Sequence, residues 1–381
     1  MAKNQEETQV TVEEGLEAQS PVSSTNRRTT RLRLITGSYE HNLLCLSLFL
    51  EKKTQVFSPV FHFTPHTQSI RCLASSKRYL VSGSNDELIR IYDLQKRKEL
   101  GTLLHHSGSI SCLEFFESKW LLSGGGDGKI FVWRTKDWEA LAELKGHKGS
   151  VNDLSIHPSG KVAISVGEDK TLRLWNLMTG RKASILKLGT PGLNVKWTAD
   201  GKYYIVGFER KISVYSSEGV ETKTVEFRSP LQHLDLITHN DVEYIVSSHG
   251  NGKIEFRSLK GLLHSDEETE SEDFDIQGHG TRVKDFSFFT SNQTLFLTSV
   301  SSDGNIVVWD IDLKDQVAVY QSGDRLNCCV MIPDDVEDLG SMKKRSRQED
   351  SAFSADETDF SEVENIPKEK KKKKAKVTID K

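Results

Sequence analysis

Along most of the chain, short apolar runs alternate with polar turns and do not recur at the spacing of a helix face. Runs such as Glu99 to Leu104, Ser109 to Phe115, Trp120 to Ser123 and Lys129 to Trp133 are rich in β-branched and aromatic residues. Gly, Ser, Asp or Asn bounds each of them, which predicts strands. One polar-to-apolar phrase returns along the chain as Asp127-Gly-Lys-Ile-Phe-Val-Trp133, Asp169-Lys-Thr-Leu-Arg-Leu-Trp175 and Asp303-Gly-Asn-Ile-Val-Val-Trp309. Weaker copies run from Asp86 to Tyr92, Glu209 to Tyr215 and Asn251 to Arg257. The closing positions are therefore 92, 133, 175, 215, 257 and 309, with steps of 41, 42, 40, 42 and 52 residues.

A period near 40 to 45 with a Trp-Asp-like ending is the signature of a propeller blade, one four-stranded sheet per repeat. The expected fold is all-β, a WD-repeat β-propeller. Six units are visible, and both ends hold leftover strands. Leu34-Ile-Thr-Gly-Ser38 echoes Leu80-Val-Ser-Gly-Ser84, and Asn42 to Phe49 resembles the strand that ends a blade. Gln316 to Gln321 and Arg325 to Ile332 resemble the opening strands of a blade that does not finish. Joining them predicts a seventh blade with two strands from each terminus (32–49 and 316–332), which removes the exposed edges of an open ring. The propeller is expected over 31–333. The polar N-terminus (1–30) and the tail (334–381), with its acidic and lysine-rich blocks, are expected to be disordered, because such segments bury too little surface to offset chain entropy. The long step before Trp309 places an acidic loop insertion at 264–275, expected between the fifth and sixth blades.

Composition narrows the picture. The 381 residues carry a net charge of -4, so no global field draws the molecule onto nucleic acid and any basic contact must be local. Cys45, Cys72, Cys112, Cys328 and Cys329 show neither CxxC nor Cys/His metal spacing, and read as small buried hydrophobes in a reducing compartment. No apolar run of spanning length occurs, so an intracellular protein without a membrane segment is expected.

Three repeats carry a matched polar set: His106, Ser123, Asp127 and Trp133; His147, Ser165, Asp169 and Trp175; His279, Ser299, Asp303 and Trp309. A fourth set, His66, Ser82, Asp86 and Tyr92, ends in Tyr. Ser, His and Asp together suggest nucleophilic catalysis, but an enzyme needs one such site. A hydrogen-bonded relay inside each blade explains several copies, with Asp fixing the imidazole and the Trp N–H supplying a further donor. Gly192 and Pro230 near the histidine position leave the fourth and fifth repeats without a relay, so those blades are expected to rest on packing alone. Gly124-Gly-Gly-Asp-Gly128 reads as a turn with positive φ, not a phosphate loop. No enzyme, cofactor or metal is expected.

Outside the repeats, Lys368, Lys370, Lys371, Lys372, Lys373, Lys374 and Lys376 form a run suited to a nuclear import receptor and capable of salt-sensitive phosphate contacts. Ser265, Ser354 and Ser361 each precede a Glu by three residues, which suits acidophilic phosphorylation.

Particular phrases resemble a known family. Leu103-Leu-His-His-Ser-Gly-Ser-Ile-Ser-Cys-Leu113, Gly146-His-Lys-Gly-Ser-Val151, Leu154-Ser-Ile-His-Pro-Ser-Gly-Lys161 and Ser165-Val-Gly-Glu-Asp-Lys-Thr-Leu-Arg-Leu-Trp-Asn-Leu177 are similar to the second and third repeats of the PAK-interacting WD-repeat proteins, whose yeast member is named for a maintenance-of-killer phenotype. Ile35-Thr-Gly-Ser-Tyr-Glu40 and Arg282-Val-Lys-Asp-Phe286 also look like that family. The resemblance spans about residues 34 to 332. It implies a nuclear, nucleolar scaffold, monomeric within a larger particle, that joins proteins and rRNA of the pre-60S ribosomal precursor for large-subunit maturation. The alternative it implies is negative regulation of a p21-activated kinase. The loops near His66, His106, His147 and His279 are the expected contact rim.

Overall fold

A computed structural model describes residues 30–51, 54–263 and 273–336. They form seven antiparallel sheets of four strands each. The first strands of successive blades pack against one another in a closed cycle, which makes the sheets a ring around a central channel. Numbered by the repeats above, blade 1 runs from Ile70 to Leu103, blade 2 from Ile110 to Lys145 and blade 3 from Val151 to Lys187. Blade 4 runs from Asn194 to Glu226, blade 5 from Leu231 to Gln277 and blade 6 from Val283 to Gln321.

Blade 7 closes the ring and corrects the expected two-plus-two arrangement. It takes one strand from the C-terminal side, Leu326–Pro333, and three from the N-terminal side, Thr30–Ser38, Leu43–Leu50 and Gln55–Phe63. Thr30–Ser38 pairs with Leu326–Pro333 from Leu32↔Pro333 to Ser38↔Leu326. The strand Asp315–Gln321, assigned above to the unfinished blade, is the outer strand of blade 6, paired to Asn305–Asp310. The same offset runs round the ring. The predicted run Glu99 to Leu104, which precedes the inner strand of blade 2 in the chain, falls in Lys98–Leu103 on the outside of blade 1, while blade 2 ends with Glu139–Lys145.

Order also extends beyond the expected limits. Thr30 lies in the first strand, and Asp334–Val336 form a 3-10 turn that holds Val336 in the core between blades 7 and 1. There Asp334 Oδ1 accepts Arg33 Nε at 2.7 Å and Ser47 Oγ at 3.2 Å. The acidic insertion lies within blade 5, not between blades 5 and 6. It connects the short helix Leu259–Leu263 to the outer strand Phe274–Gln277, so Phe274 and Asp275 are strand residues. Residues 264–272 fall outside the described residues, as do 1–29 and 337–381.

Because strands alternate direction, the chain enters at Thr30 and leaves at Pro333 on one rim. The third-to-fourth connection of blade 5 opens on that same rim. The relay loops lie on the opposite rim. Cores form between blades rather than within them. Leu122, Ile130, Val132 and Leu144 of blade 2 pack on Val151, Leu154, Ile156 and Trp175 of blade 3, each buried aliphatic side chain contributing about 1.5–3 kcal/mol. Gly124 and Gly125 are the end of the strand Trp120–Gly125 and not a turn. A Cβ at Gly124 would come within 2.6 Å of Cys112 Sγ. Only Gly128 of that glycine run has positive φ, 72°, where a Cβ would press on the carbonyls of His147 and Gly149.

Candidate functional site

The strand order brings each polar set together from three places. The histidine comes from the loop before the inner strand, the serine from the second strand, and the Asp and aromatic residue from the turn and strand that follow. In blade 2, His106 Nδ1 meets Asp127 Oδ1 at 3.1 Å, His106 Nε2 meets Ser123 Oγ at 2.9 Å, and Trp133 Nε1 donates to Ser123 Oγ at 2.8 Å. In blade 3 the distances are 3.0 Å for His147 to Asp169, 2.8 Å for His147 to Ser165 and 2.8 Å for Trp175 to Ser165. Blade 1 places His66 3.0 Å from Asp86 and 2.8 Å from Ser82, with Tyr92 Oη 3.4 Å from the serine. Blade 6 keeps His279 to Ser299 at 2.8 Å and Trp309 to Ser299 at 2.9 Å, while His279 to Asp303 widens to 3.7 Å.

Burial lowers the pKa of all four histidines, outweighing the opposing pull of the adjacent Asp. A neutral imidazole then donates Nδ1–H to the carboxylate and accepts the serine hydroxyl at Nε2. The serine oxygen in turn accepts the indole N–H. Asp86 and Asp169 are held below the usual carboxylate range: burial opposes this, but backbone N–H donors and the histidine prevail. Ser82, Ser123, Ser165 and Ser299 are all 0% exposed. Their hydroxyls are spent inside the blade and face no space where a substrate carbonyl could sit.

A second polar layer lines the channel, and sequence reading missed it. An innermost strand has an unpaired edge whose N–H groups need acceptors. The blade before supplies them. Glu114 accepts Ile156 N at 3.2 Å, Asp153 accepts Val195 N at 2.9 Å, and Asp285 accepts Cys329 N at 2.9 Å. Ser155 and Ser287 do the same for Trp197 N and Met331 N, both at 3.2 Å. In the other direction, Asn152 donates to Gly192 O at 2.9 Å and Asn327 to Ile70 O at 2.6 Å.

Lys196, His233 and Asp235 complete this lacing, with Lys196 3.8 Å from Asp235 and His233 3.3 Å from Asp285. Burial pushes the Glu114 carboxyl up to about 7 and also raises Asp153 and Asp285. Burial works against the Lys196 ammonium, but Asp235, Glu114, Asp153 and Asp285 together hold its pKa above the ordinary lysine value. A quarter of the Lys196 side chain, 24%, stays accessible, as a channel wall requires. The sequence carries one signal for this layer: Asp153 and Asp285 each stand six residues after a relay histidine. Among the described residues, no group of three or more His, Cys, Asp or Glu could hold a metal ion, and no helix is long and apolar enough to cross a membrane. The five cysteines are free, and burial raises the Cys72 thiol to about 12.

The WD domain, G-beta repeat model matches residues 57–93, 97–134, 138–176 and 271–310. The chain is 44% identical to Protein MAK11 of Saccharomyces cerevisiae, covering 90% of this chain and 92% of that one. It is 39% identical to p21-activated protein kinase-interacting protein 1 of Homo sapiens, over 81% and 79% of the two chains. The chain belongs to this WD-repeat family. A more distant member, Shk1 kinase-binding protein 15 of Schizosaccharomyces pombe, is 26% identical over 91% of this chain.

The four stretches that match the WD model are those whose closing phrase carries a relay; the two repeats it passes over are blades 4 and 5. Blade 4 has Gly192 near the histidine position, Val206 opposite Ser213 where blade 3 sets Ser165 opposite Arg173, and Glu209 six residues before its closing Tyr215. It holds instead a stacked Tyr204–Tyr215 pair 5.4 Å apart, edged by Trp197. Blade 5 departs from the expectation of packing alone. His249, on its second strand, turns back into the space left by the missing loop histidine and meets Ser247 Oγ at 3.0 Å. Glu255 and Arg257 join it: His249 Nε2 lies 4.0 Å from Glu255, and Arg257 pairs with Glu255 at 2.9 Å. Ser247 sits where the relay serines sit, so Ser-x-His was the readable clue. Ser265, Ser354, Ser361 and the lysines at 368, 370–374 and 376 lie outside the described residues.

Proposed function

We propose that this chain is a non-catalytic WD-repeat platform in nucleolar assembly of the large (60S) ribosomal subunit and in maturation of its rRNA. The observation that carries this reading is the kinship with MAK11 across nearly the whole of both chains, at 44% identity, joined to the function implied by the phrases of the second and third repeats. The ring suits the task. Loops fixed by stiff, laced sheets bind partners without first having to be ordered. The serines of the relays are sealed inside the blades, which supports docking rather than chemistry. The partners are proteins of the pre-60S particle, with rRNA as a further contact. The lysine run at 368–376 engages an import receptor and directs the chain to the nucleus and nucleolus.

A second reading has its own support. Relatives are named for interaction with p21-activated kinases, and the Schizosaccharomyces pombe relative for binding Shk1 kinase. On that reading the ring restrains a kinase. Sedimentation of tagged protein in native extract separates the two. Co-migration with large-subunit precursors, and loss of large subunits on depletion, is the expected result. Free sedimentation with normal subunit ratios, together with kinase inhibition by the purified ring, would replace the first reading by the second.

A further inference from the structure

The outer strands of the blades differ in charge, and one stands apart. Blade 1 pairs Glu99 with Arg90 at 2.6 Å, blade 2 sets Glu143 between Lys129 and Lys145 at 3.0 and 2.8 Å, and blade 5 pairs Asp275 with Lys253 at 3.2 Å. The outer strand of blade 4 carries Lys223 between Glu221 and Glu226, that of blade 6 only Asp315, and that of blade 7 no Asp, Glu, Lys or Arg. Blade 3 ends in Arg181-Lys-Ala-Ser-Ile-Leu-Lys187, with three cations and no carboxylate. None of the three is in an ion pair among the described residues. Every residue of this strand but Leu186 is exposed, and its outer side has no sheet neighbour.

Lysine on an edge strand can act as a guard against edge-to-edge pairing. A guard needs no apolar contact surface, and this edge has one. Ile185 is 44% exposed between Lys182 and Lys187. Met178, 75% exposed, occupies the turn leading into the strand. That turn abuts blade 2, where Gly180 faces Ala142 beside Leu141, itself 44% exposed. The ladder to the third strand is regular from Ser184 to Lys187. A bulge at Ala183 precedes that stretch, as a like bulge does in blade 7, but blade 7 also breaks its outer strand with Pro59.

We propose that the outer edge of blade 3 accepts an extended acidic segment of a protein partner as a fifth strand. The open N–H and C=O groups pair with the partner's backbone. Its carboxylates lie against Arg181, Lys182 and Lys187, and an apolar residue covers Ile185. A protein segment fits better than RNA, because the strand has an open ladder and apolar exposure but no aromatic ring on which a base would stack.

The test uses the full chain and a fluorescein-labelled peptide of alternating Glu and Val, followed by fluorescence anisotropy at low salt. Saturable binding is expected, weakened at least about tenfold by Lys182→Glu with Lys187→Glu. The same peptide N-methylated at alternate backbone nitrogens should not bind. Circular dichroism checks that the variant is folded; if it is not, Lys182→Gln with Lys187→Gln takes its place and should weaken binding in the same direction. No binding to the native chain, equal binding of the methylated peptide, or unchanged affinity in the variant would each overturn the proposal. So would displacement of the peptide by a single-stranded oligouridine that binds more tightly and with the same lysine dependence.

Discussion

Blades 3 and 4 stand side by side, have strands of similar length and share a core of Val166, Leu172, Val195, Trp197 and Tyr204, yet they are held in different ways. Blade 3 ties loop, second strand and third strand through His147, Asp169, Ser165 and Trp175. Blade 4 relies on stacked tyrosines and on help from next door. His157 of blade 3 sits edge-on to Trp197 at 4.8 Å, and Asp153 and Ser155 accept the edge N–H groups of Val195 and Trp197. The difference shows that a relay is one solution to a general requirement. Each sheet must fix its own strands, and each inner edge must find acceptors on the preceding blade. A blade can lose the first device so long as its neighbours keep the second.

The largest effect tests closure, on which both blades depend. Ending the chain at Arg325 removes Leu326–Pro333, the inner strand of blade 7, and should abolish the single cooperative unfolding transition in calorimetry. Survival of that transition would show that blades 3 and 4 are held by their local contacts alone. A smaller effect separates the blades. Asp169→Ala leaves buried His147 and the backbone N–H of Lys148 without their acceptor and should cost about 3 kcal/mol in denaturant unfolding. Glu209→Ala, at the equivalent place in blade 4, should give no measurable change. In blade 5, His249→Ala should fall between the two, at about 1–2 kcal/mol. A cost no larger than that of Glu209→Ala would show that the inserted imidazole fills space without tying strands.

The smallest effect concerns pH and distinguishes relay from lacing. The relay histidines are held below their usual 6.5. Their stabilisation is complete above that value and is lost as pH falls through their folded pKa. Glu114 has the opposite slope. Held near 7 against a usual 4.5, its contribution is complete below about 4.5 and declines as pH rises through about 7. Glu114→Gln keeps an acceptor for Ile156 N but cannot ionise. It should raise the melting temperature above pH 7 and leave it unchanged near pH 4.5. A uniform shift at both pH values would mean that Glu114 is not buried as an acid.

The repeats were legible because the third strand of a blade is sandwiched between two others, so Ile130 to Trp133 and its counterparts are forced to be apolar and end in an indole. The relays were legible because Ser and Asp recur ten and six residues before the closing Trp or Tyr, with a His 26 to 30 residues before it. The outer strands were not. Arg181–Lys187 and Glu221–Glu226 face solvent along nearly their whole length, so no alternation survives to say which blade they join. For the same reason Asp315–Gln321 was assigned to the wrong sheet. Glu114, Lys196 and Asp235 escaped notice because a single charge within a short strand looks like any solvent-facing residue. Only the ring turns those positions towards the next blade.

The three-plus-one join of blade 7 sets an order of events during synthesis. Thr30–Ser38 is made nearly 300 residues before its partner Leu326–Pro333, the last strand among the described residues. At about 5–20 residues per second, the early hairpin waits on the order of half a minute for its inner neighbour. Throughout that interval Leu32, Leu34 and Ile35, fully buried in the finished ring, have nothing to cover them on that side. That edge stays uncovered until Leu326–Pro333 emerges.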